Sequence, residues 1–194
     1  MTDSTHADPA TPPVKWSSII VSAYLPTLMS SLGYGAVIPL IPLTAVHIGA
    51  SAALAAAIAA LVGIGQIIGD VPAGWLVTKI GEKWSLVIAM LIDAVALVSM
   101  GLVHHLGLLA VAVFVNGMAG AVYGIARQNY LTVAIPYRYR ARALSTLGGV
   151  FRVGWFVGPM AGSWILREAS MSWAYGFASL SLIHISEPTR RYAI

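Results

Sequence analysis

The sequence predicts an all-α membrane protein with six transmembrane helices, and three observations support this fold class. The 194-residue chain is 58% hydrophobic and only 9% charged, whereas soluble domains carry about 25% charged residues. Apolar runs of about 20 residues, the length that crosses a bilayer, recur along the chain. Lysines and arginines lie between these runs and form no basic face interleaved with aromatic residues, so no nucleic-acid partner is predicted.

Six apolar runs are candidate spans, with ends defined to within a few residues: 17–45, 52–78, 84–103, 106–135, 143–166 and 169 onward. Residues 1–15 are polar and rich in proline, which predicts a disordered tail. The first run is too long for the apolar core of a signal peptide and no cleavage site follows it, so we expect a retained span. Its prolines, Pro26, Pro39 and Pro42, predict kinks.

The lysines and arginines between the runs predict the orientation of the bundle. Six of them fall on one side of the predicted membrane: Lys15, Lys79, Lys83, Arg138, Arg140 and Arg142. Only Arg167 falls on the other side. By the positive-inside rule the N-terminus is therefore cytoplasmic, and we expect an integral protein of a bacterial-type inner (plasma) membrane.

The stretch GWLVTKIGEK, which joins the second and third runs, resembles a loop motif of major facilitator superfamily (MFS) transporters, G-x-L-x-D-R/K-x-G-R/K-R/K. The matching positions are Gly74, Leu76, Lys79, Gly81 and Lys83. Thr78 stands where that family has an acidic residue, and Glu82 where it has a basic one. The resemblance implies a gating loop formed by Gly74, Lys79, Gly81 and Lys83, in which the two glycines permit close backbone approach.

The fifth run resembles the glycine-rich motif of the drug–proton antiporter branch of that family, G-x8-G-x3-G-P-x2-G-G. The matching residues are Gly154, Gly158, Pro159 and Gly162. The three glycines recur every four residues and form a smooth stripe along which another helix can approach closely. Ordinary tight packing, without any link to antiport, is an equally good explanation of such a stripe.

Four ionisable residues fall inside the predicted spans at a similar depth: Asp70, Asp93, Arg127 and Arg152. An uncompensated charge in the membrane is costly, so we expect Asp70 to pair with Arg127 or Arg152. Such a cluster can couple transport to protons, with the arginines binding anions or gating, or it can be a structural ion pair. The resembled fold places the third span outside the central cavity, which favours a structural role for Asp93.

Other classes of function find less support in the sequence. The chain contains no cysteine, and no catalytic residue, metal site or cofactor is predicted. A serine protease of the membrane needs a serine in a G-x-S setting together with a histidine inside the membrane, and a metalloprotease needs an H-E-x-x-H motif; neither set occurs within the predicted spans. The resemblance instead implies secondary active transport of a small molecule, in the form of proton-coupled efflux.

The C-terminal stretch LSLIHISEPTR, residues 180–190, resembles translated DNA of a sequencing-library adapter. We therefore expect native sequence to end near Ser179, with a six-span bundle over 16–179 whose last span is incomplete and a non-native tail over 180–194. Transporters of the resembled family consist of two six-helix halves. The chain would then be an inactive fragment that lacks its C-terminal half. The alternative is a self-complete six-span transporter or channel that acts as a homodimer.

Overall fold

The computed structural model describes residues 20–168, 175–176 and 178–179. The predicted tails over 1–15 and 180–194, and most of the sixth predicted span, lie outside these residues. Within the described ranges every regular element is a helix, so the predicted all-α class is confirmed.

Six α-helices follow a π-helical turn at Ile20–Tyr24: α1 (Leu25–Val37), α2 (Leu40–His47), α3 (Ala52–Ile80), α4 (Glu82–Leu102), α5 (Leu106–Ala134) and α6 (Tyr137–Glu168). Among the described residues, four segments are long and apolar enough to cross a membrane, namely Leu25–His47, Ala52–Ile80, Glu82–Leu102 and Leu106–Val133. They coincide with the first four predicted spans. Helix α6 covers the fifth predicted span and has 32 residues, but its five arginines make it less apolar than the others.

The prolines of the first span act at different points of the helix. Pro39 lies in the turn that separates α1 from α2, where its missing N–H and its ring interrupt the helix. Pro26 and Pro42 lie in the first turns of α1 and α2. The first N–H groups of a helix have no partner within it, so Pro42 causes no loss in α2. Pro26 instead lies just after the π-helical turn Ile20–Tyr24. The predicted kink is confirmed at Pro39.

Local sequence also explains where the longer helices begin and end. The Ser51 hydroxyl caps α3 by accepting a hydrogen bond from the Leu54 N–H at 3.3 Å. Gly81 alone links α3 to α4, with a φ of +82° that residues with a side chain rarely adopt. Pro136 follows α5 and precedes α6, so the two helices cannot form one continuous rod.

Glycines bring two pairs of helices into close contact. Between α3 and α5, a methyl group added at Gly65 would collide with the Phe114 carbonyl, and one added at Gly117 with the Val62 carbonyl. Between α1 and α6, a Cβ at Gly158 would lie 2.6 Å from the Leu32 carbonyl oxygen. Small residues allow backbones to approach this closely, and van der Waals contact then holds the helices together within the membrane.

Helix α1 buries three hydroxyl groups that bond to its own backbone. Thr27 donates to the Ala23 carbonyl at 2.6 Å, and Ser30 donates to the Thr27 carbonyl at 3.0 Å. Ser31 donates to the Leu28 carbonyl, also at 3.0 Å. Each of these three hydroxyls is therefore satisfied by a carbonyl about one helical turn before it.

Candidate substrate cavity

A cavity of about 480 Å³ lies within the bundle, with walls from α1, α2, α3, α5 and α6. Its size falls within the range of small-molecule sites. Most of its wall is apolar, and six side chains with polar groups line it: Tyr34, Gln66, Asn116, Tyr123, Arg127 and Gln128. The convergence of these groups in an otherwise apolar bundle makes the cavity the candidate functional site.

Arg127 lies on α5 and is held between two aromatic rings. Its guanidinium carbon is 5.3 Å from the centre of the Tyr123 ring, one turn earlier on α5, and 5.3 Å from that of Phe151 on α6. Such contacts stabilise a cation electrostatically. The Nε and Nη1 atoms are buried, and no hydrogen-bond acceptor for them exists among the described residues. Arg127 thus has favourable contacts for its charge and none for two of its nitrogen donors.

Asp93 on α4 is a buried acid whose two hydrogen-bond partners line the cavity. The Tyr34 hydroxyl donates to its Oδ2 atom at 2.6 Å, and the Asn116 side-chain amide donates to its Oδ1 atom. Tyr34 and Asn116 also line the cavity, whereas Asp93 itself does not. The carboxylate therefore contacts the cavity only indirectly, through the two residues that donate to it. These two hydrogen bonds offset the cost of burying its charge.

The predicted pairing of Asp70 with Arg127 or Arg152 is not observed among the described residues. Asp70 is exposed on α3 and Arg152 is exposed on α6, and within the described ranges no ion pair joins Asp70 to Arg127 or Arg152. Gly69 belongs to the packed face of α3, and successive residues of a helix are rotated by about 100°, so the next side chain points away from that face. A coupling role for Asp70 or Arg152 stays a prediction.

The residues of the predicted gating loop lie at the junction of α3 and α4. Close backbone approach at Gly74 and Gly81 is not observed, because a Cβ at either position would meet no described atom within 4 Å. Gly81 is required instead by its positive φ. Lys79 places its Nζ atom 4.5 Å from the centre of the Trp75 ring, and Lys83 is exposed. Their role in gating stays a prediction.

The glycine stripe of the fifth predicted span packs against α1. Gly154 faces Ser31, Gly158 faces the backbone of Leu32 and Gly35, and Gly162 faces Ala36. Pro159 is exposed on the same helix. Tight packing is therefore observed, while the link to antiport stays a prediction.

Sequence reasoning missed Tyr34, Tyr123 and Phe151 as members of the site. The four-residue spacing of Tyr123 and Arg127 is a usable signal, since such residues are neighbours on one helix face. Tyr34 and Asp93 are 59 residues apart, and no local pattern could have connected them.

Long apolar helices that enclose a mostly apolar cavity with a few polar side chains are typical of an integral membrane protein, and the cavity is its candidate small-molecule site. The chain belongs to the Major Facilitator Superfamily, because the model of that family matches residues 23–185. This match extends beyond Ser179, and the predicted non-native tail stays a prediction.

Curated relatives are longer than this chain. An uncharacterized MFS-type transporter of Mycobacterium tuberculosis, found in two strains, is 25% identical over 167 residues. The alignment covers 86% of this chain and 24% of the relative. The class H tetracycline resistance protein of Pasteurella multocida is 28% identical over 193 residues, covering 90% of this chain and 46% of that protein. The chain thus spans between a quarter and a half of the length of these relatives.

Proposed function

We propose that the chain forms the N-terminal six-helix part of a secondary active transporter that exports a small molecule in exchange for protons. The observation that carries this proposal is the cavity, which places six polar side chains inside a membrane-spanning bundle. The similarity to a tetracycline resistance protein supports export rather than uptake. The distribution of lysine and arginine supports an N-terminus on the cytoplasmic side of the inner membrane.

Asp93 is the group that we propose to carry the proton. An ionised carboxylate accepts hydrogen bonds only, and it accepts them here from Tyr34 and Asn116. A protonated carboxyl also donates one hydrogen bond. If Oδ2 takes the proton and donates it to the Tyr34 oxygen, the Tyr34 hydroxyl hydrogen must turn away from the carboxyl. Because Tyr34 lines the cavity, protonation would change the hydrogen bonding that a substrate meets there.

Proton release from everted membrane vesicles tests the proposal. Respiration acidifies the vesicles and quenches an acridine dye, and an exported substrate that exchanges for protons restores the fluorescence. The assay is run on the 194-residue chain and on the reading frame obtained by sequencing the native locus past codon 179. We expect tetracycline or another small drug to restore fluorescence with the longer frame. Loss of the effect for every compound tested would contradict proton-coupled export.

Two aspartate-to-asparagine substitutions then identify which carboxylate couples transport to protons. Asp93→Asn keeps the size of the side chain and can still donate to the Tyr34 oxygen and accept from Asn116, but it cannot carry a proton. We expect it to reduce dye recovery at least about tenfold, as loss of an essential proton carrier does. Asp70→Asn on the exposed face of α3 is the matched control and should retain recovery. Loss of dye recovery in Asp70→Asn but not in Asp93→Asn would instead assign the coupling role to Asp70.

The same assay on the 194-residue chain alone tests the alternative of a self-complete homodimer. If this chain restores the fluorescence and migrates as a dimer in detergent, the self-complete protein is favoured. If only the longer frame is active, the chain is one part of a larger transporter.

A further inference from the structure

We propose that Arg127 is the anchor of an oxyanion-binding site and that the cavity takes amphipathic organic anions. This inference rests on the proposed function and deepens it, because it names the substrate class of the same cavity.

The first step of the argument is the state of the Arg127 donors. The Nε and Nη1 atoms are buried without an acceptor among the described residues. The rings of Tyr123 and Phe151 contact the guanidinium, but a ring face is a weak substitute for an oxygen acceptor. Buried donors are normally satisfied. Arg127 lines the cavity, so a ligand with acceptor oxygens could satisfy these donors once the guanidinium turns toward it.

The second step is the absence of a counter-ion from the described part of the chain. Asp93 is buried, but no ion pair joins it to Arg127 within the described residues, and its two oxygens accept from Tyr34 and Asn116. Asp70 is exposed on α3 and forms no ion pair with Arg127. A charge within the membrane needs a partner or water. A bound carboxylate, phosphate or sulfonate would supply both the negative charge and the missing acceptors.

The third step is the wall that surrounds the guanidinium. Val37, Ile41, Leu147 and Trp155 line the same cavity and present apolar surface. A volume of about 480 Å³ accommodates a body larger than a free inorganic anion. A single guanidinium among apolar walls therefore favours an organic monoanion with an aromatic or aliphatic body.

The test uses three probes with one ring system and different head groups. Equilibrium dialysis measures binding of 2-naphthoate, naphthalene-2-sulfonate and the neutral 2-naphthamide to the purified chain in a non-ionic detergent. We expect 2-naphthoate to bind at least about tenfold more tightly than the amide, as a charged hydrogen bond predicts. The sulfonate shows whether the site recognises oxyanions in general or carboxylates alone.

Arg127→Gln should bring the dissociation constants of 2-naphthoate and 2-naphthamide to within about twofold of each other. Arg127→Lys retains the charge and should retain part of the preference for the anion. Arg142→Gln is the matched control, because Arg142 is an exposed arginine on α6 that does not line the cavity. Equal binding of anion and amide to the unmodified chain, or an unchanged preference in Arg127→Gln, would overturn the assignment.

A folding defect of the variant and a failure of the transport proposal can each be distinguished from a failure of the anion site. If Arg127→Gln does not fold, the thermal melting of the unmodified chain decides: 2-naphthoate should raise the melting temperature and 2-naphthamide should not. Binding that depends on Arg127 without any proton-coupled flux contradicts the transport proposal and leaves the anion site intact. Flux of neutral or cationic compounds that is independent of Arg127 contradicts the anion site and leaves transport intact.

Discussion

The contact between α1 and α6 predicts that a single methyl group at Gly158 destabilises the bundle. A Cβ there would lie 2.6 Å from the Leu32 carbonyl oxygen, 2.7 Å from the Gly35 Cα and 2.8 Å from the Ala36 nitrogen. Ordinary contact begins at 3.4 Å. All three neighbours are backbone atoms, so α6 must move by up to about 0.8 Å, because no side chain there can rotate aside.

The magnitude follows from two opposing effects of Gly158→Ala. Overpacking a close contact costs about 1–3 kcal/mol, and alanine returns up to about 1 kcal/mol through its higher helix propensity. We expect a net loss of about 1–2 kcal/mol. Gly149→Ala is the matched control on the same helix, since a Cβ there meets nothing described within 4 Å. It should be neutral or stabilise by up to about 1 kcal/mol.

Unfolding of both variants by sodium dodecyl sulfate in mixed micelles, followed by circular dichroism, measures the difference. Equal midpoints for Gly158→Ala and Gly149→Ala would refute the conclusion that α1 and α6 are in backbone contact at Gly158. Destabilisation by both Gly158→Ala and Gly149→Ala would instead indicate that a partner packs on the exposed face of α6.

Three further predictions concern other parts of the bundle. Arg127→Met should leave the melting temperature of the ligand-free chain unchanged or raise it, because an apolar side chain replaces buried donors that have no acceptor. A fall would show that the contacts of Arg127 with the Tyr123 and Phe151 rings outweigh that cost. Gly81→Ala should lower the free energy of unfolding by about 1–3 kcal/mol through its positive φ, whereas Gly74→Ala, in open space, should not. Asp93→Leu should lower the free energy of unfolding, measured with sodium dodecyl sulfate, by more than Asp93→Asn does. The leucine removes the acceptor of two buried hydrogen bonds.

The boundaries of the helices could be predicted from the sequence because they depend on local chemistry. Pro39 interrupts the first span, Ser51 caps α3, and Gly81 supplies the positive φ of the link that follows. Each effect acts within one or two helical turns, so neighbouring residues contain the information. The apolar runs similarly identified the four segments that are long enough to cross a membrane.

The site could not be predicted in the same way because depth in the membrane does not determine direction around a helix. Counting residues placed Asp70 and Arg127 at one level, but Asp70 follows Gly69 of the packed face and points elsewhere. The small residues Gly65, Gly69 and Ala73 recur every four positions and are buried on α3. That stripe was visible in the sequence and would have placed Asp70 outside the packed face. The bond between Tyr34 and Asp93 depends on tertiary packing and had no local signal.

The pairing of α1 with α6 has a consequence for biosynthesis. Helix α1 ends at Val37 and its close partner begins at Tyr137, so a ribosome must add about 100 residues before the two can meet, at 5–20 residues each second. During those seconds α1 resides in the bilayer without its main neighbour. The hydroxyls of Thr27, Ser30 and Ser31 already bond to carbonyls within one helical turn, so Tyr34, whose partner Asp93 lies on α4, is the polar side chain of α1 that needs a later helix. The nascent segment can therefore leave the translocon early and be captured later by α6.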